Sequence, residues 1–208
     1  MASSMPRELF DSDTAYLEFV EKQLKVQRGS DEDRAGVMRR VDSMTLFEDD
    51  AKYLDFLDTI NYNEEMTVDK LMNLHKLILQ KDSPNDKAAG RVRTTEVEVS
   101  GEPMLHSDHV PDALKKFINW FNAEEKTTKN VFQFAATAHF SLCIIHPAVD
   151  GNGRLCRLLV NLILKRQGYP TIILPEGWRE KYYDVFVWGN CDPFAEKIKE
   201  LVDEKMKK

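Results

Sequence analysis

Apolar residues recur at helical spacing through most of this chain and alternate at strand spacing in a single stretch. Leu17, Val20 and Leu24 predict a helix over 13–26, with Ser12 or Asp13 as its cap, and a short helix is expected at 35–42. Phe47, Leu54, Phe56 and Leu57 predict another over 46–60. The segment 67–80 is strongly amphipathic: Thr67 can cap it, and Leu71, Leu74, Leu77 and Ile78 share one face. Leu114, Phe117, Ile118 and Phe121 form the buried stripe of a helix over 112–124. Residues 131–145 are apolar on nearly every side, with Phe132, Phe134, Phe140 and Leu142, which predicts a central buried helix. Further helices are expected over 154–166, 178–188 and 193–206. Val92 to Val99 alternates β-branched and polar residues; 101–104 reads as a turn and 104–106 as the returning strand. A two-stranded hairpin is marginal by itself, so it must lie on the helices. The fold class predicted is mainly α, a helical bundle with a small β-hairpin.

Composition narrows this picture. The chain has 208 residues, enough for one domain with a real core, and its 42% apolar and 31% charged content is that of a globular protein. Net charge is −6 and the basic residues are scattered, which predicts no nucleic-acid partner. Cys143, Cys156 and Cys191 are odd in number and lack metal-ligand spacing; Cys143 and Cys156 fall in apolar helices and are expected to pack as small hydrophobes, which suits a reducing compartment. The first residues lack the apolar core of a signal peptide, and no apolar run approaches the ~20 residues of a membrane helix. A cytoplasmic protein without membrane contact is expected, with a translocated effector or a piece of a longer protein left open.

The chemistry concentrates at 146–157, which reads His-Pro-Ala-Val-Asp-Gly-Asn-Gly-Arg-Leu-Cys-Arg. Gly151, Asn152 and Gly153 tolerate positive φ and can turn successive N–H groups into one concavity, an anion nest. The helix that follows presents unpaired N–H groups and the positive end of its dipole, both favourable to phosphate. Arg154 and Arg157 stand three apart on roughly one face, and arginine pairs bidentately with phosphate oxygens. Asp150 offers a hard oxygen ligand for Mg²⁺ beside those phosphates. His146, at the end of an apolar run, is the group here that exchanges a proton near neutral pH, a candidate general base. The turn lacks the Gly-Lys-Ser/Thr ending of a P-loop, and Cys156 replaces the third glycine of a dinucleotide fingerprint. His75 and His139 read as structural histidines on helices, and His106 and His109 as surface residues.

The order His-Pro-x-x-Asp-Gly-Asn-Gly-Arg-x-x-Arg resembles the signature of the Fic domain (filamentation induced by cAMP), whose members mostly move AMP from ATP to a protein hydroxyl. Gly90-Arg-Val-Arg-Thr-Thr-Glu-Val-Glu-Val99 resembles the family's hairpin flap, and Lys181-Tyr-Tyr-Asp with Gly189-Asn190 resembles its adenine-contacting region. The resemblance spans about residues 50–200. It implies a Fic-type bundle, with 1–45 as a helical extension and 46–208 as the catalytic domain. It also implies His146 as base, Asp150 on Mg²⁺, Gly151, Asn152 and Gly153 as the anion hole, and Arg154 and Arg157 on the phosphates, Arg157 nearer the γ-phosphate. Tyr183 and Asn190 would meet adenine. Val92, Arg93, Thr94, Thr95, Glu96 and Val97 would dock the target segment by strand pairing. ATP and a hydroxyl-bearing protein are the implied partners, and a homodimer is left open.

Two departures from the family pattern bear on function. Ala148 stands where the family has a loop-anchoring Phe. The family's inhibitory Ser/Thr-x-x-x-Glu-Gly/Asn helix finds no full match: Ser4/Glu8, Thr14/Glu18 and Thr94/Glu98 have the spacing but are followed by Leu9, Phe19 and Val99. Arg40 stands where chain order would put the inhibitory Glu, just before Ser43-Met-Thr-Leu. The inhibitory carboxylate is thus absent or supplied unusually, and its apparent absence predicts transfer rather than removal of AMP, with self-modification at Thr94 or Thr95. Another phosphate-containing donor, an AMP-removing hydrolase and an inactive binding module are the alternatives.

Overall fold

The computed structural model describes residues 47–59, 64–99, 102–179, 181–182 and 190–207. The helices expected at 13–26 and 35–42, and most of that expected at 178–188, lie outside the described residues. A 3₁₀ helix, Phe47–Thr59, precedes α1 (Val68–Asp82), the hairpin strands β1 (Glu98–Val99) and β2 (Glu102–Pro103), α2 (Val110–Thr127), α3 (Val131–Ile145), α4 (Asn152–Arg166) and α5 (Asp192–Met206). The molecule is mainly helical with a minor hairpin, as the periodicity predicts. Among the described residues no helix is long and apolar enough to cross a membrane.

The helix ends follow local chemistry. The Thr67 hydroxyl accepts from the Lys70 N–H at 3.2 Å and opens α1. Asn130 does the same for α3, accepting from Gln133 N–H at 3.2 Å. Pro111 sits in the first turn of α2, where its missing N–H costs nothing. In the 3₁₀ helix, side chains three apart eclipse, so Asp50, Tyr53 and Phe56 form one row. Tyr53 is buried and Phe56 packs against the core, so the row points inward and carries Asp50 with it.

Helix α3 is the centre, packed against α4, α5 and α2. Ala135, Ala136 and Ala138 are fully buried on it and let neighbouring backbones approach closely. Phe121 packs against Phe117 and Phe134 with ring centroids 6.0 and 5.2 Å apart, an aromatic cluster between α2 and α3. Buried Asn161 ties α4 to the segment after it: its Nδ2 donates to Ile172 O at 3.0 Å, and Ile172 N–H donates back at 2.6 Å. Cys156 and Cys191 are buried free thiols and Cys143 is half-buried.

The hairpin is shorter than expected. Only Glu98–Val99 pairs in the ladder, opposite Glu102–Pro103, so the return begins before 104–106. The flap root, residues 92–93, is drawn onto the helices instead, while Val97 O still accepts from Met104 N–H across the hairpin at 3.0 Å. Val92 packs against the core, and Arg93 N–H donates to Pro147 O at 2.8 Å, a partner outside the hairpin. His75, expected to be structural and partly buried, is fully buried.

Candidate active site

His146 closes α3 in the left-handed region, φ 50° and ψ 62°, the one non-glycine positive φ among the described residues. That turn brings its Nδ1 to 3.3 Å from Cys143 O. A carbonyl only accepts, so Nδ1 carries the proton and Nε2 keeps its lone pair. Burial is the largest influence on the ring and holds its pKa below the ordinary 6.5, against a smaller upward pull from Cys143. The imidazole is therefore neutral at pH 7.

The loop after it is braced from within. The Asn152 side chain grips the Ala148 backbone on both sides: Ala148 N–H donates to Oδ1 at 2.9 Å and Nδ2 donates to Ala148 O at 2.8 Å. Fully buried Ala148 is thus anchored by an amide. Gly151 has φ 80°, and a Cβ there would lie 2.9 Å from Leu79 Cδ2 and 3.1 Å from His75 Nε2. Both its backbone and its surroundings demand glycine. Helix α4 starts at the next residue, so the Asn152, Gly153 and Arg154 N–H groups lack intrahelical partners and form a positive cradle.

The arginines do not stand open. Arg154 pairs with Asp82 and, through Nη2, with Asp150 Oδ2 at 3.1 Å. Asp82 also accepts from Tyr53 OH at 2.5 Å and from Lys52 Nζ at 2.8 Å. Arg157 donates through Nε to Asp50 Oδ2 at 2.5 Å and through Nη2 to Oδ1 at 3.2 Å. Both partners of that pair are 8% exposed. Burial pulls the Arg157 pKa down, but charge and hydrogen-bond interactions with Tyr182 and Asp50 outweigh it and hold the pKa above the ordinary value. Tyr182 OH in turn lies 2.9 Å from His139 Nε2, which gives His139 the partner expected of a core histidine. Of the two alternatives left open by the sequence, an inhibitory carboxylate absent or one supplied unusually, the structure has a carboxylate on Arg157: Asp50, outside the family's inhibitory motif. Asp50 was missed because it lies 107 positions away in the chain. The signal available was the three-residue row Asp50, Tyr53, Phe56, which a 3.6-residue period scatters.

The predicted loop residues His146, Asp150, Gly151, Asn152, Gly153, Arg154 and Arg157 come together around the start of α4, with Lys52, Asp50, Asp82 and Tyr53 added from outside the motif. The Asp150 side chain is 72% exposed and its oxygens suit a hard cation. No group of three His, Cys, Asp or Glu that could hold a metal occurs among the described residues, so a cation here would draw its other ligands from phosphate and water. On the flap, Thr94, Thr95 and Glu96 are exposed and Val97 half-buried, and Val97 O accepts from Met104 N–H at 3.0 Å. Glu96 accepts from Ser107 Oγ at 2.7 Å. The Arg93 side chain is 2% exposed and turned inward, so it does not face a docking surface as expected. Asn190 Oδ1 accepts from Asp192 N–H at 3.0 Å at the start of α5, and Tyr183 lies outside the described residues. His106 is exposed, 3.5 Å from Glu96, as the surface reading requires.

Comparison with known proteins places this geometry. The sequence model of the Fic/DOC family matches residues 65–164. The chain is 39% identical over 136 residues to protein adenylyltransferase fic-1 of Caenorhabditis elegans, covering 64% of this chain and 26% of that protein. It is 34% identical over 150 residues to protein adenylyltransferase Fic of Culex quinquefasciatus, covering 71% and 30%. The chain thus spans about a quarter to a third of the length of these curated relatives. The solved structure of C. elegans Fic-1 (residues 134–508) superposes with a TM-score of 0.63 at 32% identity, over 77% of this chain and 48% of that one. A Fic-domain protein from Bacteroides thetaiotaomicron, at 22% identity and a TM-score of 0.61, shares the fold over 74% of this chain and 66% of its own.

Proposed function

This chain belongs to the Fic/DOC family, and from that premise we propose that it is a protein adenylyltransferase, moving AMP from ATP to a Ser, Thr or Tyr hydroxyl of a protein. One observation carries the reading: a neutral His146 with Nδ1 tied to Cys143 O and Nε2 left basic, at the head of a loop that ends on the N-terminus of α4. His146 Nε2 takes the proton of the target hydroxyl as its oxygen attacks the α-phosphorus. The bond from that phosphorus to the α–β bridging oxygen breaks, and pyrophosphate leaves. The Asn152, Gly153 and Arg154 N–H groups receive phosphate charge, and Arg154 and Arg157 bind the outer phosphates. Asp150 would hold Mg²⁺, which when bound neutralises charge on the phosphates. Tyr183 and Asn190 remain the candidates for adenine, and the exposed flap threonines for self-modification.

Asp50 and Asp82 sit on the arginines where phosphate oxygens would go. Phosphate engaging Arg157 would compete with Asp50 for its Nε and Nη2 donors.

The test is intact-mass spectrometry after incubation with ATP and Mg²⁺, beside His146→Ala. AMP adducts are expected on the unmutated chain and none on the variant, with ATP binding retained by both. Adducts of equal yield on His146→Ala would overturn the base assignment.

A further inference from the structure

A left-handed non-glycine residue persists only where its surroundings over-determine it, and such residues cluster at functional sites. His146 needs that support. Part comes from the helix end, where His146 N–H donates to Leu142 O at 3.0 Å. The rest comes from one side chain of the flap root. Arg93 Nε donates to His146 O at 2.7 Å, and Arg93 N–H donates to Pro147 O at 2.8 Å. Its remaining guanidinium nitrogens donate to Thr95 O at 3.0 Å and to Leu105 O. A buried guanidinium thus joins the carbonyl of the catalytic histidine to both arms of the flap.

The far end of the same loop is held from the same side. His75 Nδ1 accepts from Gly90 N–H at 3.0 Å, so the ring's proton is on Nε2, which donates to Asp150 O at 2.7 Å. Gly90, with φ 74°, is where the flap crosses α1; a Cβ there would lie 2.9 Å from Lys76 Cβ. Loop and flap are therefore one framed unit. The direction of a side chain follows its backbone φ and ψ, so what fixes the His146 carbonyl also aims the imidazole.

We propose that Arg93 is a positioning residue for transfer: it fixes the left-handed backbone of His146 and locks the base to the flap, so that a target segment paired on the flap arrives in register with Nε2. This rests on the reading of His146 as general base. The role requires a planar fork that reaches three diverging carbonyls. Lysine keeps the charge but is a point donor and cannot replace it.

The experiment compares the unmutated chain with Arg93→Lys by steady-state kinetics and by NMR of histidine-labelled protein. In Arg93→Lys, kcat is expected to fall on the order of 100-fold, the scale of a small misplacement of a reacting group, while KM for ATP stays nearly unchanged. The His146 ring signals are expected to move and those of His139 to stay. A kcat held by Lys, a loss confined to KM for ATP, or unmoved His146 signals would each overturn the proposal. If the unmutated chain transfers no AMP from ATP, the transferase reading fails, and the His146 signals still decide the role of Arg93. If Arg93→Lys does not fold, exchange of the Arg93 Nε–H in the unmutated protein decides it: slow exchange is required, and fast exchange overturns the clamp.

Discussion

At the residue scale the behaviour of His146 follows from two contacts. Cys143 O fixes which nitrogen is protonated, and burial fixes the charge. A general base must be unprotonated, and burial lowers the pKa of an imidazole, so protonation is postponed to lower pH. The kcat/KM for transfer should therefore be flat across pH 7 with respect to His146 and fall only as pH drops through a value below 6.5. A kcat/KM–pH profile measures this, and an acid limb centred above 6.5 would contradict the burial of the ring. The residue types at this site were legible in the chain, because His146, Asp150 and the arginines follow one another in the short segment 146–157. The tautomer was not, since it depends on where a backbone carbonyl lies once α3 has ended.

At the element scale, the 3₁₀ helix Phe47–Thr59 carries Asp50, the partner of Arg157. The chain pattern predicts a helix there, but the tighter winding turns the row through Asp50 inward. The buried Asp50–Arg157 pair has two opposed consequences. Losing one partner of such a pair leaves an uncompensated buried charge and costs about 3–5 kcal/mol. The same loss frees Arg157 for phosphate. Asp50→Ala should therefore lower the thermal midpoint of the ATP-free protein, tighten ATP binding by about tenfold or more, which is 1.4 kcal/mol, and raise self-modification. Calorimetric titration with ATP and the mass assay check both arms; weaker ATP binding in the variant would mean that Asp50 supports the nucleotide site. The flap shows a complementary effect. Its alternation reads as strand, yet Arg93 and Val92 anchor the root of the flap on the helices, and among the described residues the hairpin is held by the Glu98–Val99 ladder and the adjoining Met104 N–H to Val97 O bond.

At the scale of the whole molecule, one core runs from Tyr53 in the 3₁₀ helix to Val202 in α5. A core shared in this way predicts cooperative unfolding. Phe121, fully buried between Phe117 and Phe134, lies in that core among aromatic partners. Phe121→Ala should destabilise by about 3–5 kcal/mol and shift a single transition without splitting it, read by urea unfolding followed by circular dichroism. A biphasic curve would show that the helices around α3 are independent units. The amino-acid sequence by itself determined the helical periods of α1 to α5, the turn at Gly151 and the order of candidate catalytic groups from His146 to Arg157. Those are local properties, written within a few residues of one another in side-chain spacing and backbone freedom. Only the tertiary structure decided that Asp50 and Asp82 cover the arginines, that Arg93 turns inward to hold His146, and that His75 grips Asp150. These contacts join segments far apart in the chain, where no short-range pattern records them, and burial decides which charges must pair.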